Sequence, residues 1–285
     1  MGCKKMIEVC GLASGSNGNA FFIRTGADCF LVDAGISCKQ ICLRLQQIQH
    51  HIDEIKGIFI THEHSDHVRG LRVLLNKFPI PVYITEKTHN RLPEVIDERY
   101  LHFIESNDRI TINNTVIQSL PKSHDAVDPS LFSFFYKDKK ISVVSDIGYA
   151  CENVVEAIKD ANIIFLESNY DDTMLREGYY PYFLKQRVAS EYGHLSNEMA
   201  GELILNHASP HLEYVLLSHL SENNNTPDIA LQTFQSAVKE RRDLGHLQTI
   251  LTSRYSVSPL VKIDTEAPRL FNSPQESLSS GLIDM

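Results

Sequence analysis

The chain has 285 residues, 27 basic against 36 acidic side chains, and a formal net charge of −9. That length allows one large domain or two small ones, and the acid excess argues against a protein that grips nucleic acid through a basic surface of its own. Bound divalent cations would invert the sign locally, so a polyanionic substrate stays open. No run of about 18 apolar residues is present to cross a membrane, and the N-terminus lacks the apolar core of a secretory signal. The six cysteines contain no CxxC pair and suggest no disulfide framework. A cytoplasmic protein with reduced thiols and no membrane partner is expected.

Three short strands open the chain, at 6–13, 20–25 and 28–33, joined by glycine-rich turns. Between the first two lies Ser14-Gly15-Ser16-Asn17-Gly18-Asn19, which either presents backbone N–H groups to an anion or is a plain hairpin connection. Asp33 ends the third strand; it either caps the helix that follows, from Ser37 to about Gln49, or anchors metal-binding histidines from behind, and the second reading is preferred. Gly57-Ile58-Phe59-Ile60 is a buried strand leading into Thr61-His62-Glu63-His64-Ser65-Asp66-His67. His62 and His64, two apart, point to one side of an extended chain. Ser65 and Asp66 favour a turn or helix start, which carries Asp66 and His67 round the other flank. Imidazoles and a carboxylate at this density are ligands for zinc and similar ions, and two flanks suggest two ions.

The Leu71, Leu74, Leu75 and Phe78 spacing predicts a helix over 68–77, followed by a strand over 79–84 entered through prolines. Short strands fill 100–120, and His124 lies just past the last of them. Residues 131–136 and 140–144 form a hairpin that runs into Asp146. The texture then alternates between strands at 163–166, 214–217 and 249–251 and helices at 181–191, 196–207 and 227–241. Polar residues recur where strands end, at 62–67, 124, 146, 167, 194 and 219, which is where a shared site is built in an α/β protein. Histidines 50, 51, 89, 102, 207, 211 and 246 follow no such rule and read as surface or packing residues. From Thr265 the composition, rich in Pro, Ser and Asn, predicts a disordered tail over 265–285 after a single domain over 1–264.

His62-Glu63-His64-Ser65-Asp66-His67, then His124, Asp146 and His219 in that order, resembles the metallo-β-lactamase superfamily over about residues 6–255. The resemblance implies an α/β fold, the four-layer αββα sandwich. It also implies one divalent ion on His62, His64 and His124, a second on Asp66, His67 and His219, and Asp146 bridging both; the ions would be Zn²⁺ or Mn²⁺, with Fe²⁺ a further candidate. The lactamases proper place cysteine at that bridging position, which puts penicillin hydrolysis in doubt. Leu166-Glu167-Ser168-Asn169 and Gly193-His194-Leu195-Ser196 look like the paired glutamate and histidine motifs of tRNase Z-type phosphodiesterases. Together with the Ser14–Asn19 loop and Ser218-His219-Leu220-Ser221 they resemble the WalJ (YycJ) branch, described as 5′→3′ DNA exonucleases. The resemblance thus implies a nucleic acid partner, DNA more than RNA, cleaved by a metal-bound hydroxide. Asp66, His194 and Glu167 are the residues expected to take part in the chemistry, with Glu167 orienting His194. Lys122, Lys185 and Arg187 are candidate phosphate contacts or ordinary solvated cations. A thioester hydrolase of the glyoxalase II kind shares the metal ligands and is the alternative.

Overall fold

Strands covered on both faces must be apolar almost throughout, and the computed structural model, which describes residues 6–266, places two such sheets face to face. The first half supplies β1 (Met6–Ala13), β2 (Ala20–Thr25), β3 (Asp28–Val32), β4 (Ile55–Phe59), β5 (Val82–Ile84) and β6 (Leu101–Phe103). The second half supplies β7 (Arg109–Ile112), β8 (Thr115–Pro121), β9 (Ser130–Tyr136), β10 (Lys139–Val144), β11 (Ile163–Glu167), β12 (Tyr214–Ser218) and β13 (Gln248–Leu251). A last strand, β14 (Val261–Asp264), returns to the first sheet and pairs antiparallel with β1. The orders are β14-β1-β2-β3-β4-β5-β6 and β13-β12-β11-β10-β9-β8-β7.

The period-two alternation of each strand explains the layers. Ile7, Val9, Phe21, Phe30 and Val32 meet Phe132, Phe134, Val143 and Phe165 between the sheets. The intervening Cys10, Leu12, Phe22 and Leu31 face outward onto helices α1 (Cys38–Gln47) and α3 (Leu71–Leu75); the short α2 (Ser65–Val68) and α4 (Glu86–His89) come before and after α3 in the chain. On the far side Ile164, Leu166, Val215 and Leu217 pack under α5 (Glu152–Ile158), α8 (Asn197–His207) and α9 (Pro227–Val238). Two shorter helices, α6 (Asp172–Glu177) and α7 (Tyr182–Val188), lie between α5 and α8 in the chain. The result is the expected αββα sandwich. Both sheets change from antiparallel to parallel pairing, at β3–β4 in the first and at β10–β11 in the second. Switch points of this kind, at the carboxyl ends of parallel strands, are where α/β sheets build sites.

Several expectations need correction. The helix expected over 68–77 is split into α2 and α3 at Gly70, whose amide donates to the Ala34 carbonyl at 2.8 Å. A Cβ there would stand 2.0 Å from the Ile36 carbonyl oxygen, so the side-chain periodicity was sound but a distant loop decides the break. The helix over 181–191 is shortened to Tyr182–Val188, and β14, α5 and α6 were not anticipated. The expected tail over 265–285 lies, apart from Thr265 and Glu266, outside the described residues. Among the described residues no helix is long and apolar enough to cross a membrane.

Alternation also puts Glu8 on the outer face of β1, where it is 4% exposed. Its carboxylate meets Arg24 of β2 at 3.0 Å, His50 after α1 at 2.8 Å and Lys262 of β14 at 3.0 Å. Burial pushes Glu8 up, but hydrogen bonds from Lys262, His50 and Arg24 overcome it and hold the group at about 2 against an ordinary 4.5. Removing this carboxylate strips Arg24 and Lys262 of their acidic partner, while His50 keeps Glu54, so Glu8→Gln should lower stability near neutral pH by about 3 kcal/mol. That contribution is complete above about 4.5 and fades as pH falls toward about 2. Thermal unfolding of the wild type and the variant should therefore show a gap in melting temperature that narrows on acidification below 4.5. A gap independent of pH would exclude this role.

Candidate metal centre

The loops after β3, β4, β8, β10, β11 and β12 converge at one end of the sandwich. After β4 the chain runs extended through His62 and His64 and then turns into α2, whose first turn carries Asp66 and His67. Two loops clamp this turn: Ala34 N–H, after β3, donates to the His67 carbonyl at 2.8 Å, and Asn19 N–H, between β1 and β2, to the Asp66 carbonyl at 2.7 Å. Gly35 lets the two loops touch, since a Cβ there would lie 1.6 Å from the Asp66 carbonyl oxygen. Asp33, Asp146 and His219 adopt left-handed backbone, with φ of 63°, 54° and 56°. Such residues cost of order 1–3 kcal/mol each and persist where the surroundings hold them for function. Each one ends a strand and turns its side chain into the site.

The sequence-predicted residues are brought together. His62 Nε2 faces His64 Nδ1 at 3.1 Å, and with His124 their ligand atoms all lie within 4.8 Å of one another. Asp66, His67 and His219 form a second such group. Asp146 belongs with His62 and His67 on one side and with Glu167, His194 and His219 on the other. Its Oδ2 lies 3.3 Å from His67 Nε2 and its Oδ1 lies 3.1 Å from His219 Nδ1. His219 Nε2 is buried without a hydrogen-bond partner and stands 3.8 Å from Asp66 Oδ2. A cation between them would supply the missing partner, so the donor set fits divalent ions.

Supporting contacts lie behind this set. Asp33, fully buried, accepts from Thr61 N–H at 2.9 Å and meets His67 Nδ1 at 2.7 Å. Of the two readings offered by the sequence, this is the anchor; the cap of α1 is Ser37. Thr61 Oγ1 also reaches His62 Nδ1 at 2.9 Å, so one threonine and one aspartate orient two histidines. Glu167 Oε1 meets His194 Nδ1 and His219 Nδ1, both at 2.8 Å, while Oε2 accepts the Ile147 N–H at 2.7 Å. Glu167 therefore serves two histidines, where a single dedicated partner was expected.

Electrostatics divide the centre. Burial pushes His62 well below its ordinary value and takes His124 down to about 3, so both imidazoles are neutral and ready to donate a lone pair. Burial would also lower His67, but Asp146 and Asp33 overcome it and lift the ring to about 10. His219 is likewise raised, against burial, by Asp146, Asp66 and Glu167. Asp66, which burial alone would raise, is held well below the usual carboxylate range by hydrogen bonds to His219 and His67. This half of the centre is a store of negative charge that demands positive charge.

Sequence reasoning missed several contributors. Asn19 Nδ2 lies 3.3 Å from Asp66 Oδ2 and 3.0 Å from His67 Nε2, and Ser14 Oγ accepts the His219 N–H at 2.7 Å. The only signal was the polar loop that holds both. Lys122 is neither a phosphate contact nor a solvated cation: it is buried, and Nζ donates to the Ser145 carbonyl at 2.6 Å, fixing the backbone beside Asp146. Arg187, by contrast, lines the cavity over the centre, with Leu184, Val188, Tyr192 and His194.

The model of the metallo-beta-lactamase superfamily matches residues 13–219. The chain is 35% identical to the exodeoxyribonuclease YycJ of Bacillus anthracis, over 81% of this chain and 88% of that one. It is 35% identical to the exodeoxyribonuclease WalJ of Streptococcus pneumoniae, over 88% of this chain and 96% of that one. Among solved structures it is similar to the metallo-beta-lactamase fold protein YhfI of Bacillus subtilis, with a TM-score of 0.69 and 13% identity across 91% of this chain and 100% of that one. Family match, sheet order and converging histidines agree: the chain belongs to the metallo-β-lactamase superfamily.

Proposed function

We propose that the protein is a DNA exonuclease acting from the 5′ end, with His62, His64 and His124 holding one divalent ion, Asp66, His67 and His219 a second, and Asp146 touching both. The observation that carries this reading is the Glu167–His194 pair beside the metal centre, in a chain 35% identical to two proteins named exodeoxyribonucleases over most of their length. Divalent ions bound there supply the nucleophile near neutral pH and offset charge at phosphorus. Zn²⁺ and Mn²⁺ both suit the imidazole and carboxylate set, with Fe²⁺ a further candidate. A DNA substrate is proposed over RNA because both relatives are named for deoxyribonuclease action. The same naming leaves the thioester alternative unfavoured.

His194 is the group placed to move a proton. Its Nδ1 is engaged by Glu167, its side chain is 23% exposed, and it lines the cavity beside His124 and His219. Phosphodiester cleavage expels an alkoxide, a poor leaving group that gains from a proton donor. A thiolate needs little such help, so a histidine in this position suits phosphodiester chemistry. Asp33 acts at one remove: it fixes the tautomer and direction of His67.

The direct test is digestion of 3′-labelled DNA by protein loaded with Mn²⁺ or Zn²⁺, beside a thioester panel. Stepwise shortening of the labelled strand from its 5′ end, with thioesters left intact, is expected; turnover of thioesters with intact DNA would overturn the proposal. Asp33→Ala should keep the fold, judged by circular dichroism, and weaken metal affinity by about 10- to 100-fold. Unchanged metal affinity would show that Asp33 is only a packing residue. His194→Ala should retain both metals and lose about 10²–10⁴-fold in single-turnover cleavage. Glu167→Gln should lose rate and metal affinity together, since its Oε1 also meets His219. The two changes should be non-additive in rate. Metal loss in His194→Ala equal to that of His219→Ala would make His194 a ligand instead.

A further inference from the structure

Helix α7 is unusual in having no buried residue, although it carries Tyr182, Phe183, Leu184 and Val188. So short a helix gains little from propensity alone and ordinarily depends on a packed face. Leu184, Arg187 and Val188 turn to the cavity over the metal centre. The aromatic residues stand in solvent, with Tyr179, Tyr182, Phe183 and Tyr192 exposed by 78, 75, 71 and 63%. We infer that residues 179–192 are a stacking platform for the unpaired bases of a single-stranded DNA end entering the metal cavity, an inference that rests on the exonuclease reading above.

Charge, geometry and size favour this occupant. A chain with net charge −9 has no basic excess to spend on phosphates; stacking on aromatic faces grips a strand by another means and tolerates any sequence, because every base has a π-face. The segment nevertheless carries Lys185 and Arg187, the latter paired at 2.6 Å with Asp125 in an exposed contact that a phosphate could exchange. Part of the platform is already ordered. The Tyr179 hydroxyl donates to Asn223 Oδ1, and Asn223 Nδ2 donates to the Tyr180 hydroxyl at 3.0 Å. Their rings meet edge to face at 5.7 Å between centroids. Rings held in place lose little freedom when a base lands on them. The cavity of about 260 Å³ is smaller than a typical pocket for a drug-sized ligand, a size that suits one unpaired end better than a duplex.

The test compares the metal-loaded full chain with Tyr182→Ala/Phe183→Ala, neither residue lining the cavity. Substrates are 3′-labelled oligo(dT), a blunt duplex, and bis(p-nitrophenyl) phosphate, which has no base to stack. The variant should show KM for oligo(dT) raised by about 10- to 100-fold. Its kcat should stay within about twofold, and its hydrolysis of the small diester should match the wild type, because the platform binds without touching the reacting atoms. Tyr182→Trp/Phe183→Trp should restore the wild-type KM, since tryptophan stacks at least as well. Equal KM for oligo(dT) in the alanine variant and the wild type overturns the platform while leaving phosphodiester chemistry intact. Equal impairment on the small diester also overturns it, by showing a damaged cavity. If the wild type cleaves neither DNA nor the small diester, the exonuclease reading itself falls and takes the platform with it.

Discussion

Four carboxylates, from Asp33, Asp66, Asp146 and Glu167, are drawn into one largely buried space, and the rest of the structure depends on compensating them. Like charges this close are tolerated only where positive charge or donated hydrogen bonds meet each oxygen. Asp33 answers the demand with Thr61 and His67, and Glu167 with His194, His219 and the Ile147 amide. Asp66 and Asp146 face imidazoles, with Asn19 beside Asp66 and the Ser145 hydroxyl donating to Asp146, and they hold positive charge on His67 and His219 against the pull of burial. A pair of divalent ions would meet the same demand more fully, because each would bring two charges and Asp146 could serve both. The neutral half, His62 and His124, completes the donor set without adding charge.

The fold serves this arrangement by putting strand ends where charge is wanted. Phenylalanines from both sheets fill the space between them and fix how the sheets face each other. With that distance set, loops from β3 and β4 in one sheet and from β8, β10, β11 and β12 in the other meet across the end of the core. Left-handed backbone at Asp33, Asp146 and His219 then aims three side chains inward at a local cost that the surrounding packing offsets. Contacts between the loops are tight enough to require glycine at 35 and 70. The centre is thus supported on rigid elements, as metal sites need to be.

Much of this was legible in the chain. Candidate ligand types are written in the sequence at 62–67, and the strand-end positions of His124, Asp146, Glu167 and His219 follow from apolar runs that stop at polar residues. What was not legible depended on distant contacts. The break at Gly70 comes from the loop after Val32, 36 residues or so upstream by its Ala34 and Ile36 carbonyls, and no local period carries that information. Lys122 reads as a surface cation until Ser145 is seen to take its proton donors. Glu167 reads as one histidine's partner until the fold brings His219 to the same oxygen. In β14, by contrast, Val261-Lys262-Ile263-Asp264 alternates buried and exposed with the period of a strand, and that signal was available but overlooked.

The central claim is that two ions share this cavity and that Asp146 joins them. Anomalous diffraction at the metal edge, from crystals of protein loaded with Mn²⁺ or Zn²⁺, tests it most directly. Two peaks per chain are expected, one among His62, His64 and His124 and one among Asp66, His67 and His219, with Asp146 within bonding distance of both. A single peak, or a metal seated on His194 and Glu167 in place of Asp66 and His67, would contradict it.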